Sequence, residues 1–263
     1  MGRKINLGNS GDVPAAVVLN ETGTASVLLI CEHASNHIPA HHDHLGLSAS
    51  VRVSHIAWDP GAMAVATQMS RIMGARLVAS TVSRLVYDCN RPPEAAGAMP
   101  IRSEQFDIPG NVGLTNAQKA DRVTTVYEPF RSLLAETITT SPTPPVLVTI
   151  HSFTPVYMGK PRAVEIGILH DSDTRLADAM LDLAPTHTEL NTQRNDPYGP
   201  DDGVTHTLKL HALPNGLLNV MIEVRNDLIA DETTQLAMAE TLANLINDAL
   251  AALADQTETK CHA

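Results

Sequence analysis

The chain has 263 residues, with 18 Lys+Arg against 29 Asp+Glu, a formal charge of −11. That acidic balance argues against non-specific nucleic-acid binding, and 3 % aromatic residues leave little for a base-stacking surface. Apolar residues make up 43 %, enough for a packed core, yet no run approaches the ~20 apolar residues that span a bilayer. Neither nucleic acid nor membrane is expected as a partner.

The start Met1-Gly-Arg-Lys-Ile5 lacks the apolar stretch of a secretory signal, and Asn6 departs from a myristoylation pattern. Three cysteines, Cys31, Cys89 and Cys261, form no Cys-x-x-Cys pair and fit a reducing cytoplasm. Cys31 and Cys89 read as small buried hydrophobes. Six of the 12 histidines fall between residues 33 and 55.

Residues 1–25 read as an irregular lead-in. Ser26–Cys31 is an apolar run typical of a buried strand. Asp59-Pro60 predicts a helix cap followed by proline at the first helical position. Met63, Ala66, Met69 and Ile72 then repeat at helical spacing until Gly74. Arg76–Thr81 predicts a second strand and Ser83–Asp88 a third. Residues 94–114 read as a long loop of the kind that covers sites. Thr115 and Gln118 form a capping box for an amphipathic helix bent at Pro129.

Val146–Ile150 and Ala163–Leu169 read as further strands, with a helix capped by Asp173 after them. Thr188–Leu190 is a short strand, residues 191–203 a polar loop and Val204–Leu213 a short helix. Leu217–Ile222 is the last core strand. Asp231 opens a terminal helix, and residues 255–263 are a polar tail. Strands alternating with helices predict one α/β domain with a mainly parallel sheet between helices.

In such sheets, sites gather beyond the carboxyl ends of strands. Four predicted strands run into polar clusters: Glu32-His33-Ala-Ser-Asn36, Asp88-Cys-Asn90-Arg91, His151-Ser152 and Glu223-Val-Arg225-Asn226-Asp227. Histidine, carboxylate and arginine together point to metal-assisted hydrolysis. Imidazole and carboxylate hold zinc with a position open for water, a carboxylate moves the proton, and arginine binds a carboxylate or a developing oxyanion. His41, His42, His44, His187 and His262 read as solvated. His33 and His37 have the spacing of a helical zinc pair but lack the glutamate that follows its first histidine. No Gly-x-Ser-x-Gly elbow, phosphate-binding loop or dinucleotide fingerprint occurs.

Glu32-His33-Ala-Ser-Asn36, Trp58-Asp59-Pro-Gly-Ala62, Ser83-Arg84-Leu-Val-Tyr-Asp88-Cys-Asn90-Arg91-Pro, His151-Ser152-Phe-Thr-Pro155 and Glu223-Val-Arg225-Asn-Asp-Leu228 together resemble the N-formylglutamate amidohydrolase family, from about residue 26 to 253. That family is related to the zinc carboxypeptidases. The resemblance implies a three-layer α/β fold like theirs, with a mixed, mainly parallel sheet between helices.

It also implies a zinc-dependent hydrolase, although other divalent first-row ions suit the same donors. His33 resembles the first zinc ligand. His151, in Ile-His-Ser-Phe, resembles the carboxypeptidase Ile-His-Ser-aromatic ligand. Glu223, in Ile-Glu-Val-Arg, resembles the general base in Phe-Glu-Leu-Arg. Asn90-Arg91 resembles the pair that grips a substrate carboxylate, and Arg84 is a second candidate for carboxylate or oxyanion binding. The carboxypeptidase pattern has glutamate where this chain has Asn36. Asp59 or Glu32 then supplies the third ligand, Asp59 being preferred although it also fits a helix cap. Glu32 precedes His33 on an extended chain and tends to point the other way.

The substrate implied is N-formyl-L-glutamate, hydrolysed to formate and glutamate. The Glu-His-Ala-Ser start differs from the Pro-His-Ser-Gly of characteristic deformylases, so another small N-acyl amino acid or a peptide-like amide is an alternative. Arg194, Asn195, His211 and Arg225 are further candidates for the substrate pocket. Asn36 and the surplus histidines at 37–44 support a second reading, a non-catalytic metal- or ligand-binding protein. A carboxypeptidase-like peptidase is a third.

Overall fold

The computed structural model describes residues 14–261, with side chains to residue 256. In chain order the elements are β1 (Ala16–Leu19), β2 (Val27–Cys31), α1 (Ala49–Arg52), α2 (Ala62–Met73), β3 (Arg76–Ser80), the hairpin β4 (Arg102–Ser103) and β5 (Phe106–Asp107), α3 (Asn116–Arg122) and α4 (Glu128–Thr139). Then come β6 (Val146–Phe153), the hairpin β7 (Val156–Tyr157) and β8 (Lys160–Pro161), β9 (Ile166–Leu169), α5 (Arg175–His187), β10 (Thr192–Arg194), β11 (Asn219–Arg225) and α6 (Glu232–Cys261).

Seven strands form one sheet in the order β1-β3-β2-β6-β11-β9-β10. β3, β2, β6 and β11 run parallel, so their carboxyl ends share one edge. β1 is antiparallel to β3 and β9 to β11, and the sheet is therefore mixed. Alternation along the strands sends two sets of side chains to opposite faces. Leu29, Cys31, Val148, Ile150, Val220 and Ile222 pack with buried residues of α2, α5 and α6. Leu28, Ile30, Val78 and Leu147 face Phe130 and Leu134 of α4 and the buried turn 85–89. Each such aliphatic side chain contributes about 1.5–3 kcal/mol by leaving water. The predicted three-layer, mainly parallel architecture is present.

Several local expectations are corrected. The lead-in contains β1, an edge strand on β3, while residues 1–13 lie outside the described residues, as does His262. Ser83–Asp88 is not a strand. Val86 N–H closes a turn onto Ser83 O, and the Ser83 hydroxyl donates to Ala57 O. Its apolar run is buried as a turn against the core, which a strand-length run does not distinguish. The loop 94–114 carries the β4–β5 hairpin and short 3-10 turns.

The capping box at Thr115 and Gln118 is present. The irregularity near Pro129 is a wide π-type turn, Val123–Tyr127, in which Glu128 N–H reaches Val123 O. The predicted strand at 188–190 falls instead at Thr192–Arg194, inside the expected polar loop. The expected C-terminal tail continues α6 to Cys261. Asp231 does open that helix, accepting from Thr234 N–H.

Candidate functional site

The site forms where β2, β6 and β11 end. Parallel pairing sets Glu223 of β11 opposite His151 of β6. Period-two alternation puts His151 on the face of Leu147, and Glu32, just past β2, on the face of Leu28 and Ile30. His33 is turned by the chain leaving β2, and its carbonyl accepts from Asp59 N–H at 3.0 Å. Asp59 is not the side-chain cap that Asp59-Pro60 predicts. The α2 cap position is Gly61, at φ 83°. A Cβ there would lie 2.6 Å from Ile229 O, so glycine is required. The Asp59 carboxylate is thereby free to turn into the site.

His33 Nδ1, Asp59 Oδ2 and His151 Nδ1 converge. The two nitrogens lie 3.2 Å apart, and Asp59 Oδ2 is 3.2 Å from His33 and 3.0 Å from His151. All three residues are buried. The outer ring nitrogens each face another carboxylate: His33 Nε2 lies 2.7 Å from Asp88 Oδ1, and His151 Nε2 lies 3.1 Å from Glu32 Oε2. With the ring protons on the outer nitrogens, both Nδ1 lone pairs face each other and the Asp59 oxygen. Three lone pairs so close repel unless a cation lies among them. Their spacing is near the edge of a tetrahedron with bonds of ~2.0–2.1 Å, about 3.3 Å. This group can hold a metal ion.

The charge inventory agrees. Glu32, Asp59, Asp88 and Glu223 are four buried carboxylates. Arg84 answers part of that charge, at 3.1 Å from Asp59 and 3.5 Å from Asp88. Burial and Arg84 pull the His33 imidazole down, but the Asp88 and Asp59 carboxylates outweigh them and its pKa rises. Burial opposes ionisation of Asp59, yet His33, His151 and Arg84 hold it well below the usual carboxylate range. Glu223 behaves differently. Burial, reinforced by the Asp59 charge, pushes it up to about 7. Its Oε2 has no hydrogen-bond partner among the described residues. A carboxyl poised near neutrality beside an ion-binding group is placed to exchange a proton.

Above this floor lies a cavity of about 420 Å³. Of the residues expected in the site, His33, Asp59, Arg84, Asn90, Arg91, His151 and Glu223 line it. The Asn90 amide is engaged by backbone, donating to Val204 O at 2.5 Å and accepting from Thr207 N–H at 3.0 Å. Arg91 donates to Asp202 O at 2.7 Å and has no carboxylate at ion-pair distance among the described residues. A Cβ on Gly203 would lie 2.5 Å from Arg91 Nη1, so glycine makes room for that guanidinium.

The other expected residues do not line the cavity. Arg194 pairs with Asp178 at 2.6 Å and contacts His170. Arg225 pairs with Glu165 and Asp227. His211 is buried beside Pro142–Pro145 and Leu217. Asn195 bonds the backbone of His170. Asn36, at the position of the carboxypeptidase pattern's glutamate, lies beside His37, His44 and Arg52 in a separate depression. It is Asp59 that meets the two histidines.

Sequence reasoning gave Asp88 and Glu32 no part as histidine partners. The signals were the placement of Asp88 two residues before Asn90, and of Glu32 in register with Leu28 and Ile30. It also passed over Phe153 at the end of β6, Arg102 and Glu104 of the β4–β5 hairpin, Tyr157 of the β7–β8 hairpin and Tyr198 after β10, which join the cavity wall.

A mixed sheet carrying a buried His–Asp–His group and a buried carboxyl raised toward neutrality at its carboxyl edge has the make-up of a hydrolase. The N-formylglutamate amidohydrolase family matches residues 25–230. The chain belongs to that family of hydrolases, and it is an amidohydrolase. Among solved structures it is similar to gene product Atu2144 from Agrobacterium tumefaciens, at 55 % identity over 92 % of this chain and 96 % of that one, with a TM-score of 0.89. It shares its fold with an N-formylglutamate amidohydrolase from Ralstonia eutropha JMP134, at 18 % identity over 90 % and 97 % of the two chains and a TM-score of 0.61. No curated protein matches it.

Proposed function

We propose that this amidohydrolase is zinc-dependent and cleaves the amide bond of a small acidic N-acyl amino acid, N-formyl-L-glutamate or a close analogue. The observation that carries the reading is the convergence of His33 Nδ1, Asp59 Oδ2 and His151 Nδ1, with both outer ring nitrogens facing carboxylates, beside the unpartnered Glu223 Oε2. His33, Asp59 and His151 would hold the ion, and two imidazoles with one carboxylate suit zinc. Bound there, the ion supplies Lewis-acid polarisation and acidifies water toward neutral pH.

The chain's own groups do the rest. Glu223 takes a proton from the attacking water on Oε2 and passes it to the leaving nitrogen as the C–N bond breaks. The water oxygen becomes part of the product carboxylate, and the amine leaves with the proton. Arg84 stands beside the Asp59 and Asp88 carboxylates at the cavity floor and stabilises charge developing on the amide oxygen. Arg91, without a carboxylate partner, forks the carboxylate of the substrate.

The test is metal content and turnover of N-formyl-L-glutamate, measured together on the native protein and on His151→Ala. Near one ion per chain with chelator-sensitive turnover, both lost in the variant, is the expected result. Metal content indifferent to His151, or turnover indifferent to chelator, would overturn it.

A further inference from the structure

The cavity's lining is divided. Arg91 belongs to the segment after β3, and Arg102 to the β4–β5 hairpin beyond it. Phe153, Tyr157 and Tyr198 come from the end of β6, the β7–β8 hairpin and the segment after β10. In the sheet, β3 lies on one side of β2 and β6, and β11, β9 and β10 on the other. The cationic wall follows β3 in the chain and the aromatic wall follows β6 and β10, and both line the cavity that holds His33, His151 and Glu223.

The aromatic wall is concentrated and held in place. Phe, Trp and Tyr are 3 % of the sequence, yet three of these residues line this one cavity. The Arg162 guanidinium carbon lies 5.4 Å from the Phe153 ring centre, 4.6 Å from that of Tyr157 and 5.0 Å from that of Tyr198. It also donates to the Tyr198 hydroxyl at 2.9 Å and to Thr154 O at 3.4 Å. Cation–π contacts of this kind fix rings in orientation. Tyr157, although stacked on Arg162, stays 42 % exposed, and its neighbours Val156 and Met158 are more exposed still. An aromatic ring stacked on a guanidinium, with apolar area left in water, can anchor the apolar group of a ligand.

Size points the same way. A cavity of about 420 Å³ falls in the range that encloses drug-sized ligands, whereas N-formylglutamate has only about a dozen non-hydrogen atoms. With the substrate carboxylate at Arg91 and the scissile amide over the His33–Asp59–His151 group, a formyl hydrogen is too small to fill the space along the aromatic wall.

We propose that the preferred substrate is an N-acyl acidic amino acid whose acyl group carries an aromatic ring, seated against Tyr157. This rests on the amide-hydrolase reading above and adds the acyl class to it.

The experiment compares kcat/KM for N-formyl-, N-acetyl- and N-phenylacetyl-L-glutamate on the zinc-loaded full-length protein, its Tyr157→Ala variant and its Tyr157→Phe variant. Circular dichroism verifies that each is folded. The expected result is a preference for the phenylacetyl over the acetyl compound of roughly tenfold or more. That ratio collapses toward unity in Tyr157→Ala and persists in Tyr157→Phe, which keeps the ring. Formyl turned over as well as or better than phenylacetyl, or a ratio unmoved by Tyr157→Ala, overturns the acyl-class proposal and leaves amide hydrolysis standing. Failure of the zinc-loaded protein on all three compounds overturns both.

Discussion

Glu223 and His151 are register partners on adjacent parallel strands, so the candidate base and one candidate ligand are set a single interstrand spacing apart by backbone hydrogen bonding. Neither depends on a loop for its position. Glu223→Gln keeps the shape and removes the proton acceptor. Turnover of the amide substrate is expected to fall by about 10²–10⁴-fold with metal content unchanged. Steady-state kinetics alongside elemental analysis checks this, and retained turnover would remove Glu223 from the proton-transfer role.

Behind the inward group, Asp88 hydrogen-bonds His33 Nε2 at 2.7 Å, and the Glu32 carboxylate lies 3.1 Å from His151 Nε2. Neither touches the inward lone pairs. Asp88→Asn and Glu32→Gln are each expected to weaken zinc binding by about 10–100-fold. Competition with a chromophoric chelator measures it directly. An unchanged dissociation constant in both variants would mean that the rings are held by packing alone.

Arg91 is the cavity cation with no carboxylate partner among the described residues, and Gly203 leaves the space it occupies. Lysine keeps the charge but loses the planar fork. Arg91→Lys is expected to raise KM for an acidic substrate by about tenfold or more with a smaller change in kcat. Gly203→Ala, which crowds the guanidinium, should move KM in the same direction. A KM unaffected by Arg91→Lys would place substrate carboxylate binding elsewhere.

Stability carries its own pH signature. Burial lowers the His211 imidazole from 6.5 to about 4. Between those values the unfolded chain takes up a proton that the folded protein refuses, so stability falls as the pH drops from about 6.5 to 4 and is fully present above that window. His211→Gln removes the titration. Chemical denaturation from pH 7 to 4.5 should therefore show a shallower loss in the variant than in the native protein, by on the order of 2 kcal/mol. Parallel curves would show that His211 takes up its proton without unfolding.

The residue types needed for the site were legible in the linear chain because buried parallel strands announce themselves as short apolar runs, and the polar residues just past each run land at a shared edge. His33, His151, Glu223 and the Asp88-x-Asn90-Arg91 segment were found that way. The α/β alternation likewise came from local periodicity, as did the Thr115 capping box, both of which depend on neighbours a few residues apart. Tertiary structure decided the remainder. Asp59 reads locally as a helix cap, and only its position across from β6 turns it toward the two histidines. Glu32 does point away from His33, as an extended chain requires, and by doing so meets the far nitrogen of His151, a partner 119 positions on in the chain. Arg194, Arg225 and His211 stand near site motifs or polar loops in sequence but are claimed by other carboxylates or by the core. Local spacing carries information about helices, strands and caps because those are made by near neighbours; which carboxylate meets which imidazole depends on strand order and register, and these exist only once the sheet has formed.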